Sequence, residues 1–146
     1  MDFKHLNIHN FPELKATTTK EGRRYCVGDT FYPSVTTVIG HSKKKAIMAW
    51  RNKVGEEEAN KISKRASTRG NKCHKLAELY LSNESISKYK DDPLSMGLFY
   101  QIKPYLDSID NIHALEAPLC SSLLKMAGRV DCIAEYNGEL AIIDFK

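Results

Sequence analysis

The stretch RVDCIAEYNGELAIIDFK, residues 129–146, decides the fold, because it has the pattern of two short strands joined by a tight turn. Asn137-Gly138 separates two runs of alternating or β-branched residues, and this dipeptide strongly favours a two-residue hairpin loop of type I′. Such a loop fixes the register of the two strands. In that register Asp131 lies directly opposite Asp144, with the two Cβ atoms roughly 5 Å apart.

Side-chain alternation divides this hairpin into two faces. The two carboxylates share one face. The other face is predicted to pack against the core through seven mostly apolar residues: Val130, Cys132, Ala134, Tyr136, Ala141, Ile143 and Phe145. The sequence therefore predicts a half-buried hairpin with an acidic pair on its outer side.

The acidic pair is unfavourable on its own, since two like charges this close repel each other or raise the pKa of one of them. A cation between them removes the repulsion, and oxygen ligands favour a hard ion such as Mg²⁺ or Mn²⁺. Lys146 follows Asp144 by two residues on the same face, where its ammonium can orient a water or neutralise charge on a phosphate. The alternative is a strand-end lysine that reaches solvent. We favour a metal-dependent hydrolytic site of Asp131, Asp144 and Lys146.

Length and composition indicate an ordinary globular chain. Its 146 residues suit one compact domain, and 42% of them are hydrophobic and 27% charged. The sequence has no apolar run long enough to span a membrane and no secretory signal, so no membrane association is expected. The four cysteines lack the short paired spacing of zinc or iron–sulfur ligands and are interpreted as core residues in a reducing compartment. A cytoplasmic protein is therefore predicted.

Positive charge is concentrated in residues 41–75. This segment holds eleven lysines and arginines against three glutamates, a net charge of +8, while the whole chain carries only +4. A basic segment in a chain that is otherwise acidic is typical of a polyanion-binding surface with a metal site elsewhere. The alternative, a solvated helix face without a partner, stays open on charge alone.

A hairpin and three helices are predicted before residue 111. The hairpin covers residues 24–39, with its turn at Gly28-Asp29 and with SVTTVI as strand. The helices cover residues 43–55, 56–81 and about 93–109. The expected buried positions are Ile62, Ala66, Cys73, Ala77 and Tyr80 on the second helix, and Leu94, Leu98, Ile102 and Leu106 on the third.

Several motifs together resemble a nuclease superfamily. GRVD at residues 128–131 and IIDFK at residues 142–146 are similar to the PD-(D/E)XK signature, with Asp131, Asp144 and Lys146 in its hallmark positions. The motifs YPSVTTVI, Trp50, A-x-x-RG-x-x-x-H at residues 66–74 and E-x-P at residues 116–118 resemble those of RecB-like exonucleases. That group includes the mitochondrial genome maintenance exonucleases and their relatives in tailed phages. The resemblance covers nearly the whole chain from about residue 24.

The resemblance implies an α/β (α+β) fold of the restriction-endonuclease-like type, in which a mixed central sheet is flanked by helices and an N-terminal helical region lies beside the site. We expect one nuclease domain over residues 1–146, with a mainly helical DNA-binding part at residues 1–110 and catalytic strands at residues 111–146. In this family a helix with a Gln-x-x-x-Tyr motif follows the D-x-K strand. The chain is therefore expected to be incomplete at its C-terminus.

The resemblance also extends the site. Glu116 and His74 are expected to join Asp131 and Asp144 around the metal, with the Phe145 carbonyl as a further ligand. The residues expected to contact DNA, through phosphate-directed donors, are Ser34, Thr36, Thr37, Arg51, Arg65, Arg69, Lys72 and Arg129.

The implied reaction is Mg²⁺- or Mn²⁺-dependent hydrolysis of DNA phosphodiesters by a monomer, with single-stranded DNA degraded from an end during replication, recombination or repair. The implied location is the cytoplasm (of the host, for a phage protein), or the mitochondrion for a mature organellar form. Two alternatives stay open: a non-catalytic DNA-binding or recombination accessory module, and a structure-specific or restriction endonuclease.

Overall fold

The computed structural model describes residues 2–6 and 10–145. Its elements in chain order are the strands β1 (Lys15–Thr19), β2 (Gly22–Val27) and β3 (Thr30–Pro33), the helices α1 (Val35–Val54), α2 (Glu56–Leu81) and α3 (Pro93–Leu106), and the strands β4 (Ile109–Ser121), β5 (Met126–Tyr136) and β6 (Glu139–Ile143). A single 3₁₀ turn, Ser87–Tyr89, precedes α3. The expected α+β class is confirmed.

The chain divides into two compact units. The first comprises the chain up to residue 9, Lys64–Ala117 and the chain from Val130 onward, and the second comprises Asn10–Ser63 and Pro118–Arg129. The expected division into residues 1–110 and 111–146 stays a prediction.

The first unit is built around one hydrophobic core. The C-terminal part of α2 and the buried face of α3 contribute Leu76, Leu81 and Phe99, all shielded from solvent. Strands β4 and β5 contribute further buried residues, and Phe145 joins the same cluster just after β6. Burial of large side chains such as these is the main source of stability for a unit of this size.

The hairpin β5–β6 has the register that the sequence predicts. Asn137 and Gly138 both have positive φ, 53° and 83°, as a type I′ turn requires. Tyr136 pairs with Glu139 and Cys132 with Ile143 in an antiparallel ladder. The predicted division of faces also holds, since Cys132 is fully buried whereas residues on the other face, such as Leu140 and Ile142, are about 70% exposed.

Strand β4 contains two residues with left-handed backbone conformation, Asn111 (φ 44°) and Glu116 (φ 51°). Strict alternation places residues an odd number apart on opposite faces. Nevertheless Ile109, Ile112 and Ala117 are all buried. One left-handed residue lies in each interval between them, and such a residue shifts the alternation as a β-bulge does. The left-handed residues Asn111 and Glu116 therefore allow Ile109, Ile112 and Ala117 of β4 all to be buried.

The second unit contains a small antiparallel sheet in the order β1-β2-β3. Val27 pairs with Thr30, which confirms the predicted turn at Gly28-Asp29. The prediction that SVTTVI is a strand was wrong, because helix α1 begins at Val35. Ser34 is its N-cap, and its hydroxyl accepts a hydrogen bond from the backbone N–H of Thr37 at 3.0 Å. This local bond outweighs the β-propensity of the valines and threonines.

Helices α2 and α3 differ from their predicted bounds and buried positions in three respects. Helix α2 has the predicted bounds, but its predicted apolar stripe fails at the N-terminal end, where Ile62 is exposed. Helix α3 starts as predicted, with Asp92 accepting from the Ser95 N–H, and ends at Leu106 rather than near residue 109. Leu94, expected to be buried, is 64% exposed; Phe99 takes the core position. Leu106 is buried as expected and Leu98 and Ile102 are partly buried, so the buried face differs from the expected one mainly at the N-terminal end of the helix.

Sheet architecture differs in detail from the single mixed sheet that was expected. The described residues form two three-stranded antiparallel sheets, β1-β2-β3 and β4-β5-β6. Parallel pairing among them is confined to the isolated bridges His5 with Ile112 and Ser34 with Ala127. No helix in the described part of the chain combines the length and apolar character needed to cross a membrane.

Candidate active site

The central acidic residue of the candidate site is Asp131, near the point where the β5–β6 ladder ends. The last pair of the ladder is Cys132 with Ile143. Beyond it, the backbone N–H of Phe145 donates a 2.7 Å hydrogen bond to Asp131 Oδ2. Because the Asp131 side chain is only 13% exposed, this bond fixes the carboxylate at a largely buried position.

His74 lies beside the same carboxylate oxygen. Its Nδ1 is 3.4 Å from Asp131 Oδ2, and its side chain is about one third exposed. The ring also meets the ring of Phe145 edge to face, with the centroids 6.0 Å apart. Helix α2 therefore brings a residue 57 positions earlier in the chain to the end of the hairpin, as the resemblance implies for His74. An imidazole here interacts most strongly with Asp131 when it is protonated.

The next residue, Cys132, reports on the surroundings of Asp131. Its side chain is fully buried in the core. Burial, together with the nearby negative charge of Asp131, raises the pKa of the Cys132 thiol to about 12. The thiol is therefore neutral at physiological pH and acts as a small core residue, as predicted. The same prediction was wrong for Cys120, which is exposed, and Cys26 and Cys73 are only partly buried. Asp131 thus stands at the boundary between an apolar interior and solvent.

The other predicted site residues are placed less completely. Asp144 is exposed and immediately precedes Phe145, one step beyond the last paired residues, so the predicted pairing of Asp131 with Asp144 falls just outside the observed ladder. Lys146 lies outside the described residues. Glu116 is half-buried in β4, and its left-handed conformation is uncommon for a residue with a long side chain.

The donor types fit a hard divalent cation. Asp131 and Asp144 provide carboxylate oxygens, which Mg²⁺ and Mn²⁺ prefer. Within residues 2–6 and 10–145, no three His, Cys, Asp or Glu side chains form a group that could hold a metal ion. The expected set of Asp131, Asp144, Glu116 and His74 is thus not gathered as one cluster there. A site with one or two carboxylates is still typical of Mg²⁺, which retains several water ligands.

The predicted DNA-contacting residues of α2 lie away from His74 on the helix. At about 100° per residue, Lys72, Arg69 and Arg65 are roughly 140–180° around the helix axis from His74. Lys72 also makes a 2.6 Å ion pair with Asp92. This pair fastens α2 to the start of α3, which gives Lys72 a structural role. The three residues therefore do not surround Asp131 as a phosphate clamp would.

The predicted DNA-contacting residues of the second unit have local roles as well. Ser34 is buried, and its hydroxyl lies within hydrogen-bond distance of the hydroxyls of Thr36 and Thr37. Arg51 donates a 2.6 Å hydrogen bond to Asn60, linking α1 to α2. Arg129 is exposed in β5. Contact of any of these residues with DNA stays a prediction.

Comparison with known proteins finds similarity to three exonucleases. The sequence of the chain is similar to that of a known exonuclease. Mitochondrial genome maintenance exonuclease 1 of Homo sapiens is 28% identical over 123 residues, which cover 78% of this chain and 36% of the human protein. The Mus musculus protein is also 28% identical, with the same coverage. The Xenopus tropicalis protein is 25% identical over 122 residues, 78% of this chain and 35% of its own.

The chain spans about a third of the length of these curated relatives. No family model matches it. The homology supports a place among the nucleases.

The sequence did not predict how Phe145 contributes to the site. The motif assigns to Phe145 only a carbonyl ligand, whereas the structure uses its backbone N–H to hold Asp131 and its ring to contact His74. Every residue except proline has a backbone N–H, so such a donor cannot be recognised from the residue type. The sequence predicted Phe145 as a core-facing residue of the second strand, and its burial confirms that part.

Proposed function

We propose that this chain carries the catalytic hairpin of a metal-dependent DNA exonuclease. The observation that carries the proposal is the constrained carboxylate of Asp131, which the Phe145 N–H holds at the end of the ladder beside His74. Its homologues are named as exonucleases, and Asp144, the first residue of the D-x-K motif in the sequence, follows directly on β6 at the same end of the hairpin. Preorganised charge of this kind is what phosphodiester hydrolysis requires.

In this proposal Asp131 and Asp144 hold Mg²⁺ or Mn²⁺, with the Phe145 carbonyl as a further ligand. The cation, when bound, supplies positive charge for the phosphate. From the family resemblance, Glu116 is assigned to the same site, where it contacts the metal or a metal-bound water.

The protein's own residues orient the reactants. The Phe145 N–H keeps one oxygen of Asp131 occupied, which sets the direction of the other. His74, whose Nδ1 lies 3.4 Å from the same carboxylate, is assigned to bind the phosphate. Lys146 supplies a positive charge beside the attacked phosphate. Each of these roles depends on the hairpin holding its register.

The proposed substrate is single-stranded DNA degraded from an end. DNA follows from the homologues' names and from the net charge of +8 on residues 41–75. The preference for single strands and for ends rests on family likeness. We further propose that the protein acts as a monomer in the cytoplasm or, for a mature organellar form, in the mitochondrion.

The test is cleavage of end-labelled single-stranded DNA by the native chain and by Asp144→Ala, with Mg²⁺, with Mn²⁺ and with EDTA. Native protein is expected to cleave only with a metal, and the substitution is expected to abolish cleavage. Cleavage that survives the substitution would show that the assigned site is not responsible. DNA binding without any cleavage by native protein would instead favour the accessory module.

The endonuclease alternative needs a different substrate. An exonuclease requires an end, so linear single strands should be degraded while circular strands of the same sequence persist. Degradation of both at similar rates would identify an endonuclease on the same core.

A further inference from the structure

One face of the β1-β2-β3 sheet forms a concavity outside the candidate active site. Its volume is about 590 Å³, within the range of ligand sites. The residues that line it come from all three strands and from the turn between the first two: Thr17, Thr19, Lys20, Glu21, Arg24 and Phe31. All six belong to the second compact unit. Neither the family motifs nor the predicted DNA-contacting residues include any of them.

The register of the sheet explains why these side chains share a face. Thr17 lies opposite Arg24, and Phe31 lies opposite Cys26, two residues further along β2. Residues two apart on a strand point to the same side, so Arg24 and Phe31 are diagonal neighbours. Tyr25, which points the other way, is buried. At the central strand β2 the sheet thus keeps one face covered and presents the other to solvent.

The turn at the edge of the concavity is held in place. The Thr19 hydroxyl accepts from the Glu21 N–H and donates to the Gly22 carbonyl. Gly22 has φ 123°, and a Cβ at that position would lie 2.5 Å from Thr37 Cγ2. Only glycine therefore allows the turn to approach the first turn of α1 so closely. The walls of the concavity are consequently preorganised.

The exposed face combines an aromatic ring with cations. Phe31 is 55% exposed, although a phenyl ring on a polar face gains nothing from water. Arg24 and Glu21 form a 2.6 Å ion pair whose side chains are 42% and 75% exposed. Such an exposed pair is weak, so a phosphate can compete for the guanidinium. Lys20 adds a second cation at the rim.

We infer that this face binds a nucleotide of single-stranded DNA, with the base stacked on Phe31 and the adjacent phosphate between Arg24 and Lys20. An exposed aromatic flanked by cations on an antiparallel sheet is a common way to hold unpaired bases, because every base offers a π-face. A base within a duplex does not expose its face for such stacking. This inference rests on the proposed function, since it assigns part of the substrate to residues that are not among those of the candidate active site.

The experiment measures binding without cleavage. Fluorescence anisotropy of a labelled oligothymidylate in EDTA gives the Kd for the native chain and its variants. Phe31→Ala is expected to raise Kd by roughly 5- to 150-fold, the range for loss of one stacked base, and Phe31→Trp to preserve binding. Arg24→Gln should lower the salt dependence by about one phosphate contact. Leu123→Ala, at a side chain that is 89% exposed, is the matched control and should bind as native.

The outcomes separate this inference from the proposed function. An unchanged Kd for Phe31→Ala, or equal binding of duplex and single strand by the native chain, overturns the stacking site even where DNA is cleaved. Weaker binding with kcat retained at saturating DNA supports it. A native chain that binds DNA through Phe31 but never cleaves it overturns the proposed function and leaves the stacking site standing.

Discussion

The hydrogen bond from Phe145 to Asp131 allows the structural role of the carboxylate to be separated from its chemical one. Asp131→Ala removes the acceptor and leaves the backbone N–H of Phe145 without this bond, at a residue that is only 8% exposed. Leaving such a donor unsatisfied costs about 1–3 kcal/mol. Asp131→Asn retains a carbonyl oxygen at the same position, so its cost should be below about 1 kcal/mol.

Thermal unfolding followed by circular dichroism gives the comparison. For a chain of this length 1 kcal/mol corresponds to about 2–4 °C in Tm. Asp131→Ala should therefore lower Tm by roughly 2–12 °C, and Asp131→Asn by a smaller amount, no more than about 4 °C. Glu139→Ala, an exposed acidic residue of the same hairpin, is the control and should leave Tm unchanged. Equal losses for the Ala and Asn variants would refute the reasoning, because the acceptor would then contribute nothing.

Three further predictions concern burial and charge in the structure. Leu76→Ala should cost about 2–5 kcal/mol in urea unfolding, since it opens a cavity at a fully buried site. The hydrogen bond from Lys72 holds the pKa of Asp92 at about 2, so stability present above pH 4 should fall as pH drops toward 2, and Asp92→Asn should weaken that dependence. At pH 8, iodoacetamide should alkylate exposed Cys120 before buried Cys132, as read by mass spectrometry.

Each of these has a clear contrary result. A Leu76→Ala variant as stable as Leu123→Ala would mean that the core is not where the structure places it. Acid unfolding with the same pH dependence in native protein and Asp92→Asn would remove the role given to that carboxylate. Alkylation of Cys132 in folded protein at the rate of Cys120 would contradict the buried environment beside Asp131.

Features with strong local causes were predictable from the sequence. Asn137-Gly138 determines a turn by its backbone preferences alone, and the register of the hairpin follows from the turn. The bounds of α2 were also correct, because Gly55 separates two helical patterns and three glutamates favour the start of the second. In both cases the signal lies within a few residues of the feature.

Features that depend on distant contacts were not predictable. The strand expected at SVTTVI is the start of a helix. One cause, the Ser34 cap, is local but conflicts with the β-propensity of the same residues, and the other, the close approach of Gly22 to Thr37, is a contact 15 residues apart that the sequence does not show. The left-handed conformations of Asn111 and Glu116 leave no pattern in the sequence, and they decide which residues of β4 face the core. The exposure of Leu94 likewise reflects packing of α3 as a whole.

The candidate site also combines features that the sequence predicts with features that only the structure shows. Motif spacing predicted Asp131 and Asp144, and family resemblance added His74, which lies 3.4 Å from Asp131. Helical spacing alone already separates the basic residues of α2 from His74. The sequence could not show that Phe145 binds Asp131 through its backbone.

The central claim is that Asp131 makes the end of this hairpin a metal-dependent nuclease site. It is tested most directly by the initial rate at which native chain and Asp131→Asn release nucleotides from 5′-labelled single-stranded DNA in Mg²⁺. Native protein should be active, and the variant, folded but without the carboxylate charge, should be at least about 100-fold slower, as is typical when one preorganised group is lost. A variant that releases nucleotides at the native rate would contradict the account.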